Sequence, residues 1–585
     1  MDNKAKTGVL QAANILMIAM LLSRLLGYVR DIIILAKFGQ NSYTDAYNAA
    51  FSVPDTLYML LVGGALSAAF IPIFSSYLAR QEEKQGWKSV SIIFNWIMLL
   101  MVIGVTLGIV LAPQFVDILV PGFDSTTKQL TISLTRIMFI QVIFMCFAGI
   151  STGILQSYKN FTAPALGSVL YNVGIIVGGL ILMRPIEHFF PGYGIAGFSI
   201  GVVFGAKLNF FVQFRALLKI GIHYTFSFDT KDEGFRELII LIIPVLIGLG
   251  AQQLNLFVNQ NLASGLAPGL LTALRNAQRI MQVPISIFGI AVGVAVFPTM
   301  TSLAATDRMK EFKETLVMGL RTVIFITIPA SVGIAVLSTP AIRLLYEYSS
   351  GNFTAENTAQ TAYALIFYCI GTFAYAAVHT LSRSFYALKD TKTPVWCAVL
   401  SIVGNIVFSL LLVGVMKQGG LALAYSIAGI LNMGVLLLLL HRKIGAFGGR
   451  ALVKSILQTI LISAVMGVVV YAVAWLFEQF LPVNTKIIQT IQILLSIGVG
   501  VVVYAFISLK LQMPEAEQAM NIFKRKFGRI LHRHHKKGDE NKQTENQDIQ
   551  EIKAEDNPED NSEDNPDTAD KQTAAEDKQE KNHTK

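Results

Sequence analysis

Apolar blocks long enough to cross a bilayer recur along nearly all of this 585-residue chain, and that recurrence narrows its fold more than any other feature. A bilayer core takes about 20 residues of helix to span. Within it every backbone polar group must be satisfied internally, which leaves helices or closed barrels. The blocks are not the alternating segments of about ten residues that build a transmembrane barrel. With 53% apolar and 15% charged residues and a mean hydropathy of +0.55, the chain reads as an all-α polytopic membrane protein.

Reading the blocks between charge and Gly/Pro clusters gives fourteen expected spans: 9–36, 48–78, 89–112, 130–156, 164–183, 194–214, 237–263, 271–302, 315–338, 358–382, 394–416, 420–440, 455–477 and 487–509. Lys4 and Lys6 precede the first, but Arg24 interrupts it and no small-residue cleavage site follows, so an uncleaved first helix is expected. One set of alternate connections carries 20 Lys/Arg, the other only 6. Basic loops stay in the cytoplasm, so both termini are expected there, in the plasma (inner) membrane. The net charge of +9 divides unevenly, because residues 539–585 hold 16 acids against 6 bases. Positive charge concentrated in loops does not point to nucleic acid.

The chain also repeats. Lys159-Asn160 with Pro164 returns as Lys389-Asp390 with Pro394, and Phe70-Ile71-Pro72 resembles Val296-Phe297-Pro298. Two six-helix halves related by a pseudo-twofold along the membrane normal are therefore expected, plus an extra C-terminal pair, with a cavity between the halves. The domains expected are an N-terminal lobe (1–220), a C-terminal lobe (221–445), helices 13–14 (446–512), a basic juxtamembrane segment (513–538) and a disordered acidic tail (539–585). The second span is broken by Pro54, Gly63, Gly64 and Pro72, the eighth by Pro284, Gly289, Gly293 and Pro298. Paired interruptions suit moving, site-forming helices; close helix packing uses the same residues.

Arg24 and Arg30 lie in the first span and Arg279 early in the eighth. A guanidinium at mid-bilayer costs about 2.5–3.5 kcal/mol on insertion scales, so such residues face a wet cavity or a partner. Arginine donates bidentately to phosphate oxygens, which suits a diphosphate. An interhelical ion pair is the rival role for Arg24, and snorkelling to the interface that for Arg30, Asp31 and Arg275. Asp45, opening the second span, fits either a functional site or a helix N-terminus. Cys146, Cys369 and Cys397 read as core hydrophobes. No metal-ligand spacing, nucleophile motif or phosphate loop occurs, so neither an enzyme nor a cofactor is expected. Lys524–Lys537 is a basic stretch suited to anionic lipids.

Ser23-Arg24-Leu25-Leu26-Gly27-Tyr28-Val29-Arg30-Asp31, Thr44-Asp45-Ala46-Tyr47, Gly64-Ala65-Leu66-Ser67-Ala68-Ala69-Phe70-Ile71-Pro72 and Arg279-Ile280-Met281-Gln282-Val283-Pro284 together resemble the MurJ (MviN) family of lipid II flippases. The resemblance covers about residues 9–510. It implies a fourteen-helix member of the multidrug/oligosaccharidyl-lipid/polysaccharide exporter superfamily. Such a protein moves the undecaprenyl-pyrophosphate-linked peptidoglycan precursor from inner to outer leaflet by alternating access. Substrate-binding roles fall on Arg24, Arg30, Arg279 and Asp45, and helices 13 and 14 are implied to hold the lipid tail. Expected partners are lipid II, anionic membrane lipids and cell-wall synthesis proteins, with the monomer as the working form. The alternative is a flippase for another polyprenyl-linked saccharide, or a drug exporter of the same superfamily.

The sequence also departs from the family. Many members carry basic residues after the proline of the second helix, where Pro54 is here followed by Asp55. The seventh and eleventh spans offer Gln252, Gln253, Asn255, Asn259, Asn405 and Ser409 but no carboxylate, so no sodium site is expected.

Overall fold

The computed structural model describes residues 3–63, 70–348, 351–483, 485–521 and 524; among them the regular structure is helical, with no strand. Gly64, residues 525–538 of the basic segment and the acidic tail lie outside the described residues. The first long helix is α1 (Asn3–Phe38). The second span is broken into α2 (Ser42–Ala50), α3 (Ser52–Tyr58), a π-helical turn (Met59–Gly63) and α4 (Ile71–Ala79). Then come α5 (Glu83–Val110), the short α6 (Ala112–Leu119), α7 (Ser125–Ser157), α8 (Thr162–Phe189) and α9 (Ala196–Ile220). After α10 (Glu233–Ser264) a second broken span follows: α11 (Leu270–Pro284), a π turn (Ile285–Gly289) and α12 (Ile290–Ala305). The chain continues through α13 (Met309–Val336), the short α14 (Ser338–Tyr346), α15 (Ala355–Ala387), α16 (Lys392–Met416), α17 (Gln418–Ile444), α18 (Gly449–Phe480) and α19 (Lys486–Lys510). Among the described residues, helices long and apolar enough to cross a membrane number 11, with α11 and α12 counted together. Those eleven do not include α1, α2–α4 or α10, where the sequence expects three further spans.

The backbone repeats more closely than the side chains do. Left-handed residues, uncommon outside glycine, pair up along the chain as Gly39 with Gly269, Gln81 with Asp307, Lys159 with Lys389 and Gly192 with Lys417. Gln81, Lys159, Asp307 and Lys389 end α4, α7, α12 and α15 with one motif. The next N–H reaches back to the carbonyl five residues earlier, as in Glu82→Tyr77, Asn160→Leu155, Arg308→Leu303 and Asp390→Phe385, so each helix end has its free carbonyls satisfied. The π turns begin at Met59 and Ile285, and α6 and α14 begin at Ala112 and Ser338. Both pairs are 226 residues apart. The sequence expectation missed the two short helices; each has an amphipathic stripe too brief to register as a span.

Core packing follows the duplication. One pair of apolar clusters is built mainly from α1–α9 (Phe74, Trp87, Phe139; Leu134, Ile175, Phe198). The other pair is built mainly from α11–α17 (Tyr346, Leu365, Tyr368; Phe312, Leu381, Phe385). α10 touches α4, α5 and α6 on one side and α11, α16 and α17 on the other, while α18 lies on α13 and α19. The three cysteines are free and buried. By contact the chain divides after Leu511; in the second unit residues 514–521 are helical.

Candidate functional site: a charged seam along the second broken helix

α11 begins at a bend, Gly269 at φ +89, with no capping side chain of its own. The first N–H groups of a helix need acceptors, and here the other half supplies them. The Asp45 carboxylate, carried on α2, accepts from Gly269 N at 2.6 Å, Thr272 N at 2.8 Å and Thr272 Oγ1 at 2.6 Å. Asp45 is 2% exposed. Of its two expected roles, the structure gives it the helix N-terminus, although that helix belongs to the opposite half. The Asp45 carboxylate bonds the start of α11 and makes no hydrogen bond to Arg24, Arg30 or Arg279. Around it Asn48 donates to Thr272, Gln40 bonds Gln360 and Thr361, and the Asn352 N–H meets the Ala36 carbonyl. The halves are tied together at this end.

One turn further along α11, Arg275 donates to Ser52 Oγ at 3.2 Å and Gln260 Oε1 at 3.5 Å. It does not snorkel. A hollow of about 240 Å³ opens beside it, lined by α3, α10, α11, α15 and α17, among them Asp55, Gln253, Asn259, Gln260, Arg275 and Gln278. The sequence marked Asp55 as a departure but gave it no place; its side chain opens on this internal space rather than on the outer surface.

Arg279 lies a turn beyond Arg275, about 6 Å along the axis, and forms an ion pair with Asp31. Arg30 pairs with the same carboxylate at 3.0 Å and also donates to Asn172 Oδ1 at 3.3 Å. Within the π turn, Ser286 Oγ accepts from Arg24 at 3.2 Å. Tyr28 donates to the Arg279 carbonyl. The three arginines named from sequence thus converge where α1 meets the second broken helix. One carboxylate cannot neutralise three guanidinium groups, so the cluster keeps a net charge of +2. Arg279 is 36% exposed, Arg30 17% and Asp31 12%. None of the three arginines lines the 240 Å³ hollow; the cluster stands beside it. Sequence spacing could not show Asn172 or Ser286, because nothing in an apolar helix distinguishes a polar residue that serves a distant arginine.

The broken helices differ in how tightly they are held. Pro284 is buried and immediately precedes its π turn. At Gly289 a side chain would meet the Ala376 backbone at 2.8 Å, so glycine there admits α15. Gly293 leaves room for Arg383, which donates to the Ile290 carbonyl. Pro54 is buried in α3, and among the described residues the atoms nearest to a side chain at Gly63 are those of the flexible Met59.

Residues 34–490 match the lipid II flippase MurJ family. The probable lipid II flippase MurJ of Vibrio cholerae is 30% identical over 430 residues, which is 72% of this chain and 81% of that protein. That of Rickettsia prowazekii is 28% identical over 493 residues, covering 83% and 94%. A solved lipid II flippase MurJ in an inward closed conformation superimposes with a TM-score of 0.70 at 30% identity, over 85% of this chain and 99% of that one. An inward-facing multidrug resistance transporter of the MATE family shares the fold, with a TM-score of 0.58 at 14% identity over 76% and 99%. By the extent of these matches, and by the charged seam on a duplicated helical frame, the chain belongs to the MurJ family of lipid II flippases.

Proposed function

We propose that this protein moves lipid II from the inner to the outer leaflet of the bacterial plasma membrane by alternating access. The observation that carries the proposal is the +2 cluster of Arg24, Arg30, Arg279 and Asp31 between α1 and the second broken helix. Its charge and its forked donors suit a diphosphate. The polyprenyl tail stays in the bilayer, in a groove at helices 13–14 (446–512). The lobes 1–220 and 221–445 rock about the broken helices, with Pro54, Gly63, Gly64, Pro284, Gly289 and Gly293 as the flexing positions. With both termini in the cytoplasm, the end sealed by Asp45 faces outward, so the arginine cluster loads from inside. Asp45 then serves transport as the seal rather than as a ligand. The monomer suffices, and Lys524–Lys537 holds anionic headgroups.

The test is leaflet accessibility of lipid II in cells depleted of their own flippase. The wild-type chain restores exposure on the outer face; Arg24→Ala and Arg279→Ala, expressed at equal level, do not. Full restoration by both variants removes the assignment. One observation favours a second reading: a carboxylate, Asp55, lines the hollow, as a drug/cation exporter requires. Efflux of a cationic dye by the reconstituted protein, with lipid II left unmoved, would decide for it.

A further inference from the structure

Asp55 is left with little to bind. Its Oδ1 accepts one long hydrogen bond, 3.5 Å from Gln141 Nε2, and among the described residues it forms no ion pair. Arg275 lines the same hollow, yet its guanidinium donates to Ser52 and Gln260 instead of closing on the acid. Two opposite charges therefore share an internal space with no hydrogen bond or ion pair closing them on each other. Beside Ser52, the rest of the polar lining is mainly amide: Gln253, Asn255, Asn259, Gln260 and Gln278. Amides offer donors and acceptors together, as peptide bonds do. Tyr368, Tyr425 and Leu421 supply apolar walls.

A carboxylate repels a diphosphate, so this space is not where the pyrophosphate goes. The arginine cluster one turn further along α11 is available for it. We propose that the hollow is a subsite for the peptide part of the headgroup, in which Asp55 receives a free primary ammonium and Arg275 a carboxylate; the proposal rests on the lipid II reading above. Asp55 is then a specificity-determining residue. It selects headgroups whose peptide carries an amine, and its neighbour Arg275 lies close enough to Arg279 for one headgroup to engage both regions.

The experiment uses the full chain in nanodiscs and three probes: lipid II with a lysine-containing peptide, the same lipid with the lysine Nε-acetylated, and undecaprenyl diphosphate without sugar or peptide. The wild type should bind the free-amine lipid about tenfold more tightly than the acetylated one, the ratio expected of one favourable charge contact. Asp55→Asn should bind both at the acetylated level, leave undecaprenyl diphosphate binding unchanged, and melt like the wild type. Asp55→Glu should recover part of the preference. Equal binding of the two lipids by the wild type overturns the subsite and leaves the flippase reading standing. So does an equal loss of both in Asp55→Asn. Failure of the wild type to bind any of the three overturns both.

Discussion

The two broken helices share a backbone plan and oppose each other in charge. The first, 42–79, carries Asp45 and Asp55 and no base; the second, 270–305, carries Arg275 and Arg279 and no acid. Both bend at a π turn, and both end in the same left-handed corner. The first is one helical turn longer before its bend: 20 residues separate Gly39 from Met59 and 16 separate Gly269 from Ile285. Duplication thus set the π turns and corners, and divergence set the charges. The acid of the first helix caps the start of the second through Asp45, while the second helix keeps a surplus of positive charge.

The largest expected effects come from erasing that surplus. Arg279→Ala leaves Asp31 with Arg30 alone and lowers the cluster from +2 to +1; complementation should be lost, where Lys128→Ala, in the first turn of α7 and away from the cluster, keeps it. Next, Asp45→Ala removes the acceptor for three donors. Loss of a helix cap costs about 0.5–2 kcal/mol, all of it borne by the sealed state. A cysteine at Asn48 should then react with a membrane-impermeant thiol reagent several times faster than in the wild-type background, and unchanged labelling would deny Asp45 the seal.

The hinges should differ by a smaller margin. A methyl at Gly289 meets backbone, whereas among the described residues a methyl at Gly63 first meets the flexible Met59 side chain. Gly289→Ala should lower stability by about 1–3 kcal/mol, the range for overpacking, and Gly63→Ala by far less; thermal unfolding in detergent compares them.

The smallest effect lies at the repeated corner after α7 and α15. Asn160 occupies the place that Asp390 holds in the second half, and only Asp390 gains an ion pair, to Lys443. Burial pushes the Asp390 carboxyl up, but hydrogen bonds from Lys443 and Thr393 outweigh it and hold it at about 2. A depressed carboxylate stabilises above its unfolded value of about 4 and loses that contribution as pH falls towards 2. The stability gap between wild type and Asp390→Asn should therefore narrow from pH 5 to pH 3. At an interface it amounts to less than about 1 kcal/mol.

Much of this arrangement was legible in the sequence, for physical reasons. A charge in an apolar block is costly anywhere but at a site or a pair, so Arg24, Arg30 and Arg279 stood out. Gly and Pro marked both broken helices. Partners across the halves were not legible, because helical periodicity fixes where a residue sits around its own axis and says nothing about the helix opposite. Asp45 and Gly269 are 224 residues apart in sequence, and only the folded chain shows one finishing the other. For Arg275, near the segment's end, snorkelling to the interface is as good a reading from sequence as a site role; Ser52 and Gln260, on two other helices, hold it inside. Asp31 was readable as an acid in need of a base, but not as one shared between two.

The borrowed cap of α11 has a consequence for how such a protein is assembled. Neither half is a finished object: the second starts a helix it cannot terminate with its own atoms, and the first buries an anion whose donors are still to be synthesised when it emerges. Early in biogenesis that anion must stay hydrated or protonated. Once both halves are in place, any parting at that end has to admit water to the three vacated hydrogen bonds, so it begins as a local wetting of one helix start.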